Sequence, residues 1–531
     1  MKAGFSTGGN SLKKVFRKYL FCTHKKELRD ALKRGFLLAA GFFALVWMLF
    51  RVIPKPSRIT YPCVRSSAPF AMLFLAWVGG LFPAVLGMRN QETGKRRKRI
   101  IWGVSAGAMI ALFMVIWGSY FPAPVGGMFF SGVATVLGEH GPMGTPRGIH
   151  PGRVVWAFDP ETTRWDGNSQ FWWTDEFTDS VAIEKMLTQS LYALTGEEET
   201  SQAWDSLFRH FNGKRHGENA GYVKGEKIAV KINLNNSRSH ADADNEVCTS
   251  PQLLLALARS LVEGAGVAEE DLVFYDASRW VPDKIFVPFQ EEFPGIRFVD
   301  VAGGNGREQA VVDPEGQVFY SGVNIEKPDL LPTVVTRADY LLNVACLKKH
   351  TTTAVTFGAK NHFGSVYHQQ SGQWTPSHLH GPVNTRTNPM GSANPLVNLM
   401  AHPEVGEKTV LYIIDGIYGA LSMMNVPPAR FESAPFNGHW SSSILLSQDG
   451  IAIESVALDI LHREEPLNPN PDNYLHEASQ VGNPPSGTQY DPAGTGRVNR
   501  SLGVHEHAIN DFEYVGNREP GRGIELITLF R

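Results

Sequence analysis

Cysteine is scarce in this chain of 531 residues, which has four cysteines and no CxxC pair. Zinc and iron–sulfur sites built from cysteine need clustered thiolates, so the sequence gives such sites no support. The four cysteines are Cys22, Cys63, Cys248 and Cys346. Their spacing leaves open whether Cys248 and Cys346 form a disulfide.

An overall excess of positive charge is also absent. The formal net charge is −2 and 19% of the residues are charged, which excludes a global basic field for nucleic acid. The charge is nevertheless uneven along the chain. Ten Lys or Arg residues fall in the first 35 positions and six in Arg89–Arg99, against three in Lys55–Arg65.

Long apolar runs are present near the N-terminus, at Gly35–Ile53, Ala68–Met88 and Ile100–Phe121. Each is close to the roughly 20 residues that cross a bilayer as a helix. The first run starts too far from Met1 for a cleaved signal peptide. We therefore predict three transmembrane helices in 35–121. Because basic loops favour the cytoplasm, the basic segment 1–34 should be cytoplasmic and the large C-terminal part extracytoplasmic.

The C-terminal part alternates strand-like and helix-like patterns after a Gly/Pro-rich linker at 122–153. Short uncharged runs separated by amphipathic stretches are typical of a sheet covered on both faces. We predict one extracytoplasmic α/β domain at 154–531, with a mostly parallel or mixed sheet covered by helices. A His-rich insertion lies near 365–394.

Polar side chains follow the predicted strands at the points where the strands end. In open α/β sheets, ligands bind at the carboxyl ends of the strands, so these residues should converge on one crevice. The alternative is that strand ends are polar only because loops begin there. The candidates are Lys231, Asn233, Asn235, Asp276, Lys348, His350 and Asp415.

The stretch after one such strand, CLKKHTTTAVTFGAKNHFG at Cys346–Gly364, is dense in hydrogen-bond donors. If 351–361 is helical, Thr352, Thr356 and Lys360 share one face. Lysines, threonines and helix N-terminal amides suit a phosphate or carboxylate. Asn361 would help to orient such an anion.

Histidine is concentrated in the same region, with five histidines in the 31 residues that begin at His350. Imidazole is a ligand for several transition metals, although no spacing here matches the H-E-x-x-H zinc helix. A metal site is therefore a further interpretation. Its candidate ligands are His362, His368, His378 and His380.

Taken together, VKGEKIAVKINLN, TSPQLLLALARSLVEGAG and the stretch ending in KKHTTTAVTFGAKNHFG resemble the DUF362 family, a domain family of unknown function. The resemblance runs from about Tyr222 to Val481. Some relatives carry a four-cysteine ferredoxin-like segment, which hints at redox work. This chain lacks those cysteines, so the resemblance implies no cluster here.

Three function hypotheses follow. The first is a membrane-anchored external enzyme that binds an anionic ligand or cofactor, with redox chemistry as one class. In it, Lys231, Lys348 and Lys360 supply positive charge and His350 transfers protons. Asp276 or Asp415 would hold the histidine or a metal. The second is a non-catalytic subunit that docks a membrane-protein partner, and the third is a metal-binding protein.

Overall fold

Eighteen strands in the described part of the chain build one large sheet and three small ones. A computed structural model describes residues 141–235, 237–422, 427–497, 499–508, 514 and 523–531. The strands are β1 Met143–Gly144, β2 Arg153–Phe158, β3 Ile228–Ile232, β4 Leu272–Asp276, β5 Arg297–Asp300, β6 Glu308–Gln309, β7 Val312–Val318, β8 Asp329–Pro332, β9 Tyr340–His350, β10 Ala354–Val355, β11 Tyr367–His368, β12 Gln373–Trp374, β13 Thr409–Ala420, β14 Arg430–Phe431, β15 His439–Trp440, β16 Ser443–Ser447, β17 Val504–His505 and β18 Glu525–Phe530.

The large sheet has the order β18-β2-β16-β13-β9-β3-β4-β5-β6, and β10 folds back on the end of β9. Along this order the strands pair in parallel except for β16, which runs antiparallel to both β13 and β2. The short β10 also pairs antiparallel, with β9. The predicted mixed, mostly parallel sheet is therefore confirmed. Because β13, β9, β3 and β4 all point the same way, their carboxyl ends meet at one edge.

Helices cover both faces of the sheet. They are α1 Ser180–Thr195, α2 Thr200–Arg215, α3 Pro251–Arg259, α4 Asp283–Glu292, α5 Thr333–Thr336, α6 Gly358–Asn361, α7 Pro395–Ala401, α8 Gly450–Glu464 and α9 Asn473–Ser479. Alternate residues of one strand enter two separate cores, as Trp156 and Ala157 of β2 do. This alternation produces three layers, with the sheet in the middle.

The sequence of strand β3 places polar side chains at the carboxyl edge of the sheet. Ile228, Val230 and Ile232 pack into the core that contains α1 and α3. Lys231 points to the opposite face, as the period-two pattern predicts. The chain then continues as Asn233 and Asn235, beyond the end of the strand. The polar side of β3 therefore leads into the carboxyl edge.

The segment after β9, residues 351–361, does not form the helix that a shared face for Thr352, Thr356 and Lys360 would require. It turns at Ala354, which has φ of +67°, and Val355 pairs back with Lys349. Only Gly358–Asn361 is α-helical, and a 3-10 turn, His362–Ser365, follows it. The three threonines at 351–353 form the turn between β9 and β10, so this part of the segment is a hairpin and not a helix.

The predictions for the N-terminal region fall on residues that the structure does not describe. The basic segment 1–34, the three predicted spans and residues 122–140 of the linker all lie outside the described residues. Within the part that the structure describes, no helix combines the length and apolar character needed to cross a membrane.

Candidate functional site

A cleft of about 270 Å³ opens at the carboxyl edge, above β3, β4 and β9. Its volume is just below the roughly 300–1,000 Å³ of pockets for drug-sized ligands, so it suits a small ligand. Seven of the residues predicted from strand ends and from the donor-rich stretch line it. They are Asn233, Asn235, Asp276, His350, Thr356, Lys360 and Asn361.

The floor of the cleft is a buried ion pair. Nζ of Lys231 lies 3.0 Å from Oδ2 of Asp276, and both side chains are almost fully buried. The same ammonium donates to Oδ1 of Asn361 across 3.2 Å. Burial lowers the pKa of Lys231, and the Asp276 carboxylate opposes that shift. Lys231 is therefore already neutralised by the protein and is not free to pair with a ligand.

Gly364 is required by the close packing above this pair. A Cβ at this position would lie 2.5 Å from Nζ of Lys231 and 2.6 Å from Oδ1 of Asp276. Its carbonyl accepts a hydrogen bond from the Ala277 amide at 2.8 Å. The glycine lets the loop that carries Lys360 lie directly on the ion pair.

Two other cations line the cleft without a carboxylate partner among the described residues. The Arg279 guanidinium donates to the backbone oxygen and to Oδ1 of Asn235, at 2.9 and 3.3 Å. The Lys360 ammonium lies 3.9 Å from the centre of the Phe363 ring. Burial, followed by repulsion from Arg279, lowers the pKa of Lys360 well below its usual range. An anion between the two cations would relieve that repulsion.

Two imidazoles complete the wall, and their hydrogen bonds indicate their tautomers. Nδ1 of His350 accepts from the amides of Thr352 and Thr353 at 3.1 and 3.3 Å, so the neutral ring carries its proton on Nε2. Nδ1 of His380 donates to the Pro376 carbonyl at 3.2 Å, which leaves its Nε2 to accept from Lys360.

Both rings are held in the neutral form. Burial and the Lys360 charge lower the pKa of His350 to about 2 and that of His380 to about 4. A neutral His350 with its proton on Nε2 is better suited to donate a hydrogen bond than to accept a proton. The cleft therefore presents donors: a guanidinium, an ammonium and an imidazole N–H.

Residues 228–459 match the family model described as Domain of unknown function (DUF362). The chain carries a DUF362 domain. The resemblance based on the sequence is thereby confirmed, and the matched region contains every residue that lines the cleft. No curated protein is similar enough to this chain to be matched with it.

Three of the predicted site residues lie apart from the cleft of the DUF362 domain. Lys348 is buried and donates to the Val247 carbonyl at 2.7 Å. Burial lowers its pKa. Asp415 accepts from the amide and hydroxyl of Ser250, at the start of α3. Thr352 is half-buried and donates its amide to His350, so it helps to orient that ring without lining the cleft itself.

The predicted metal ligands of the DUF362 domain separate into three places. His362 is buried beneath the cleft, where its Nε2 lies 3.0 Å from Nδ2 of Asn343. His380 faces Lys360 in the cleft. His368 and His378 stack on each other with ring centres 3.8 Å apart, beside Asp329. A second group, Asp472, His505 and His507, lies beyond the matched region.

Sequence reasoning missed some residues of the cleft. Arg279 lies in the loop after β4, in the ASRW segment. Thr375 and Ser377 come from the His-rich insertion and close the opposite wall. Position after a strand end was the one available signal, and it would have pointed to Ser278 and Arg279.

The cysteines of the DUF362 domain, Cys248 and Cys346, are both buried free thiols. Burial raises both pKa values, and for Cys346 the nearby Lys348 opposes the shift. These thiols are therefore protonated at neutral pH and are poor nucleophiles.

A larger cavity of about 930 Å³ lies at the opposite edge of the sheet, where Thr409 begins β13. It is lined by residues such as Arg147, Lys214 and Glu407. Its charges are partly paired, since Arg147 and Glu407 form an ion pair of 2.6 Å. The carboxyl edge is the usual place for ligands in such sheets, so we regard the smaller cleft as the functional candidate.

Proposed function

We propose that the cleft of the DUF362 domain binds a small anion with a phosphate or carboxylate group. The observation that carries this proposal is the pair Arg279 and Lys360, which face one cleft without a carboxylate partner in the described part of the chain. Two partly buried cations near each other are unfavourable alone, and an anion between them is stabilised.

The other groups of the cleft have defined roles in this proposal. Nε2–H of His350 donates a hydrogen bond to the anion, and Lys231 with Asp276 forms the rigid floor. Asn361 holds that floor by accepting from Lys231 and donating to Asn343 at 2.8 Å. Preorganised donors of this kind would bind substrate or cofactor phosphates in an enzyme.

Membrane anchoring is a separate part of the proposal. The three apolar runs in 35–121 and the uneven basic blocks support an anchored chain with the DUF362 domain outside the cytoplasm. An anion site on that side would act on a ligand available outside the cell or in the envelope.

Calorimetric titration of the full chain with inorganic phosphate and acetate tests the anion site. Arg279→Gln should raise the Kd at least about tenfold, since a hydrogen bond to a charged group contributes about 1.5–3 kcal/mol. Arg430→Gln is the control, because Arg430 is exposed and packs on Trp440 outside the cleft. Identical binding by the Arg279→Gln chain, or no binding of either anion by wild type, would reject the anion site and favour a docking role.

A further inference from the structure

The small sheet beside the cleft brings together three metal-binding side chains. Strand β11 pairs antiparallel with β8 through Tyr367 and Leu330, which sets His368 beside Asp329. The 3-10 turn Ser377–His380 supplies His378, whose Nε2 lies 2.8 Å from Oδ2 of Asp329. One ligand atom from each of the three residues lies within 4.8 Å of the other two.

The Asp329 carboxylate needs a positive partner. Its side chain is fully buried, and among the described residues no lysine or arginine forms an ion pair with it. The nearest polar neighbours are His378 and the buried phenol of Tyr320. An ionised carboxylate in such surroundings is unfavourable unless a cation accompanies it.

Two polar atoms of this group are buried without a hydrogen-bond partner among the described residues. They are Oδ1 of Asp329 and Nδ1 of His378, whose ring stacks on that of His368. Buried polar atoms are normally hydrogen-bonded, so such unpartnered atoms in one small cluster point to a missing ligand.

We propose that Asp329, His368 and His378 bind a divalent transition-metal ion such as Zn²⁺. Two imidazole nitrogens and one carboxylate oxygen are a ligand set typical of zinc and of non-haem iron, with positions left for water or a further ligand. The ion supplies the charge that the buried carboxylate lacks. Of the four histidines predicted as ligands, two belong to this site, and Asp329 joins them.

The second His/Asp group supports a metal less strongly. His507 lies 2.6 Å from Asp459 and 3.7 Å from Asp472, and His476 lies 3.2 Å from Asp472. Its carboxylates therefore already have imidazole partners that can carry the opposite charge.

The proposed ion would also stabilise one wall of the cleft. His378 belongs to the same turn as Ser377 and His380, and His380 accepts the hydrogen bond from Lys360. If the cleft binds an anion as proposed above, loss of the metal should weaken that binding by loosening the turn. This consequence rests on the proposed function, whereas the metal site does not.

Metal titration of the full chain tests the site directly. The chain is stripped with a chelator, dialysed, and titrated with Zn²⁺ and with Co²⁺, whose visible absorption reports the ligand set. We expect His368→Gln and Asp329→Asn to lose one equivalent of Zn²⁺ or to raise its Kd at least about a hundredfold, since even outer-shell changes cost about 10–100-fold. His439→Gln, an exposed histidine on β15, is the matched control and should bind like wild type.

Unchanged Zn²⁺ stoichiometry and affinity and an unchanged Co²⁺ spectrum in both variants would overturn the metal site. If Asp329→Asn fails to fold, the half-buried His368 still gives a decisive result. Phosphate binding by the metal-free wild type is measured separately. A chain that binds Zn²⁺ but no anion rejects the proposed function alone, and the reverse result rejects the metal alone.

Discussion

Lys360 donates a hydrogen bond to Nε2 of His380 across 3.2 Å, and this contact joins the two walls of the cleft. Lys360 comes from the loop after β9, and His380 from the His-rich insertion. Neither partner carries a negative charge. The contact therefore links the two walls of the cleft without a carboxylate that would neutralise Lys360.

The buried pair beneath the cleft should contribute to stability whether or not a ligand is bound. Lys231→Met removes the partner of Asp276 and leaves a buried carboxylate, so we expect the free energy of unfolding to fall by about 3–5 kcal/mol. Chemical denaturation measures the loss. The double variant Lys231→Met, Asp276→Asn should recover part of it, and a single-variant loss under about 1 kcal/mol would contradict the pairing.

The close approach at Gly364 gives a second stability prediction. Gly364→Ala places a methyl group against Lys231 and Asp276, which should destabilise the fold by about 1–3 kcal/mol. Gly381→Ala is the matched control, because a Cβ there would meet nothing within 4 Å. Its expected effect is within about 0.5 kcal/mol. Equal effects of the two substitutions would count against tight packing above the ion pair.

The buried carboxyl group of Glu454 should make the stability of the fold depend on pH. It lies below the cleft, where Oε1 accepts from the Ala359 amide at 2.6 Å, and burial raises its pKa to about 7. Its pKa in the unfolded chain is near 4.3, so the folded state binds the extra proton between these values. The contribution of Glu454 to the free energy of unfolding is therefore fully present below about pH 4 and is lost as the pH rises through 7. Glu454→Gln should flatten this part of the curve in denaturation measured from pH 5 to 8, and an unchanged slope would show that another group is responsible.

Anion binding should take up protons. The pKa of His380 is lowered to about 4 and that of Lys360 is also lowered, and a bound anion would raise both. Protonation of these groups therefore contributes fully to the affinity for the anion at a pH below their pKa values in the free protein. This contribution disappears as the pH rises through their pKa values in the complex. The number of protons taken up is measured by calorimetric titration with sulfate in two buffers that differ in ionisation enthalpy. Sulfate is chosen because it does not titrate in this pH range. Binding without proton uptake, equal from pH 5 to 8, would contradict this.

The strand pattern explains why much of the fold could be predicted. Period-two alternation in Ile228–Ile232 placed Lys231 on one face and its apolar neighbours on the other, as the structure has them. The order of the strands and the reversal of β16 depend on long-range pairing, which local patterns do not encode. The condition of a helix over 351–361 is not met, because the chain turns back at 351–353, Ala354 has a positive φ and β10 pairs with the end of β9.

The site was predictable where one strand end sufficed. Asn233 directly follows β3, Asp276 is the last residue of β4 and His350 is the last residue of β9. All three therefore stand at the carboxyl edge of the parallel strands and line the cleft. Asp329 was missed for a different reason. Asp329 meets His378 only because β8 pairs with β11 and a turn follows, 49 residues farther along the chain. No spacing rule connects such positions.

The membrane orientation is testable with reporter fusions. A reporter after Arg531 should be active only outside the cytoplasm, and one after Arg97 only inside it, because the two denser basic blocks favour the cytoplasm. Cytoplasmic activity of the Arg531 fusion would contradict the predicted topology.

The most direct measurement is a set of thermal melts of wild type and Lys360→Met with and without inorganic phosphate. Methionine keeps most of the side-chain volume and removes the unpaired charge, so the ligand-free variant should be at least as stable as wild type. Phosphate should stabilise wild type by about 2.7 kcal/mol at a hundredfold excess over Kd and should largely fail to stabilise the variant. Lys349→Met, whose lysine pairs with Glu465 outside the cleft, should respond to phosphate like wild type. A large loss of stability in ligand-free Lys360→Met, with phosphate stabilisation intact, would show that Lys360 supports the fold and does not bind an anion.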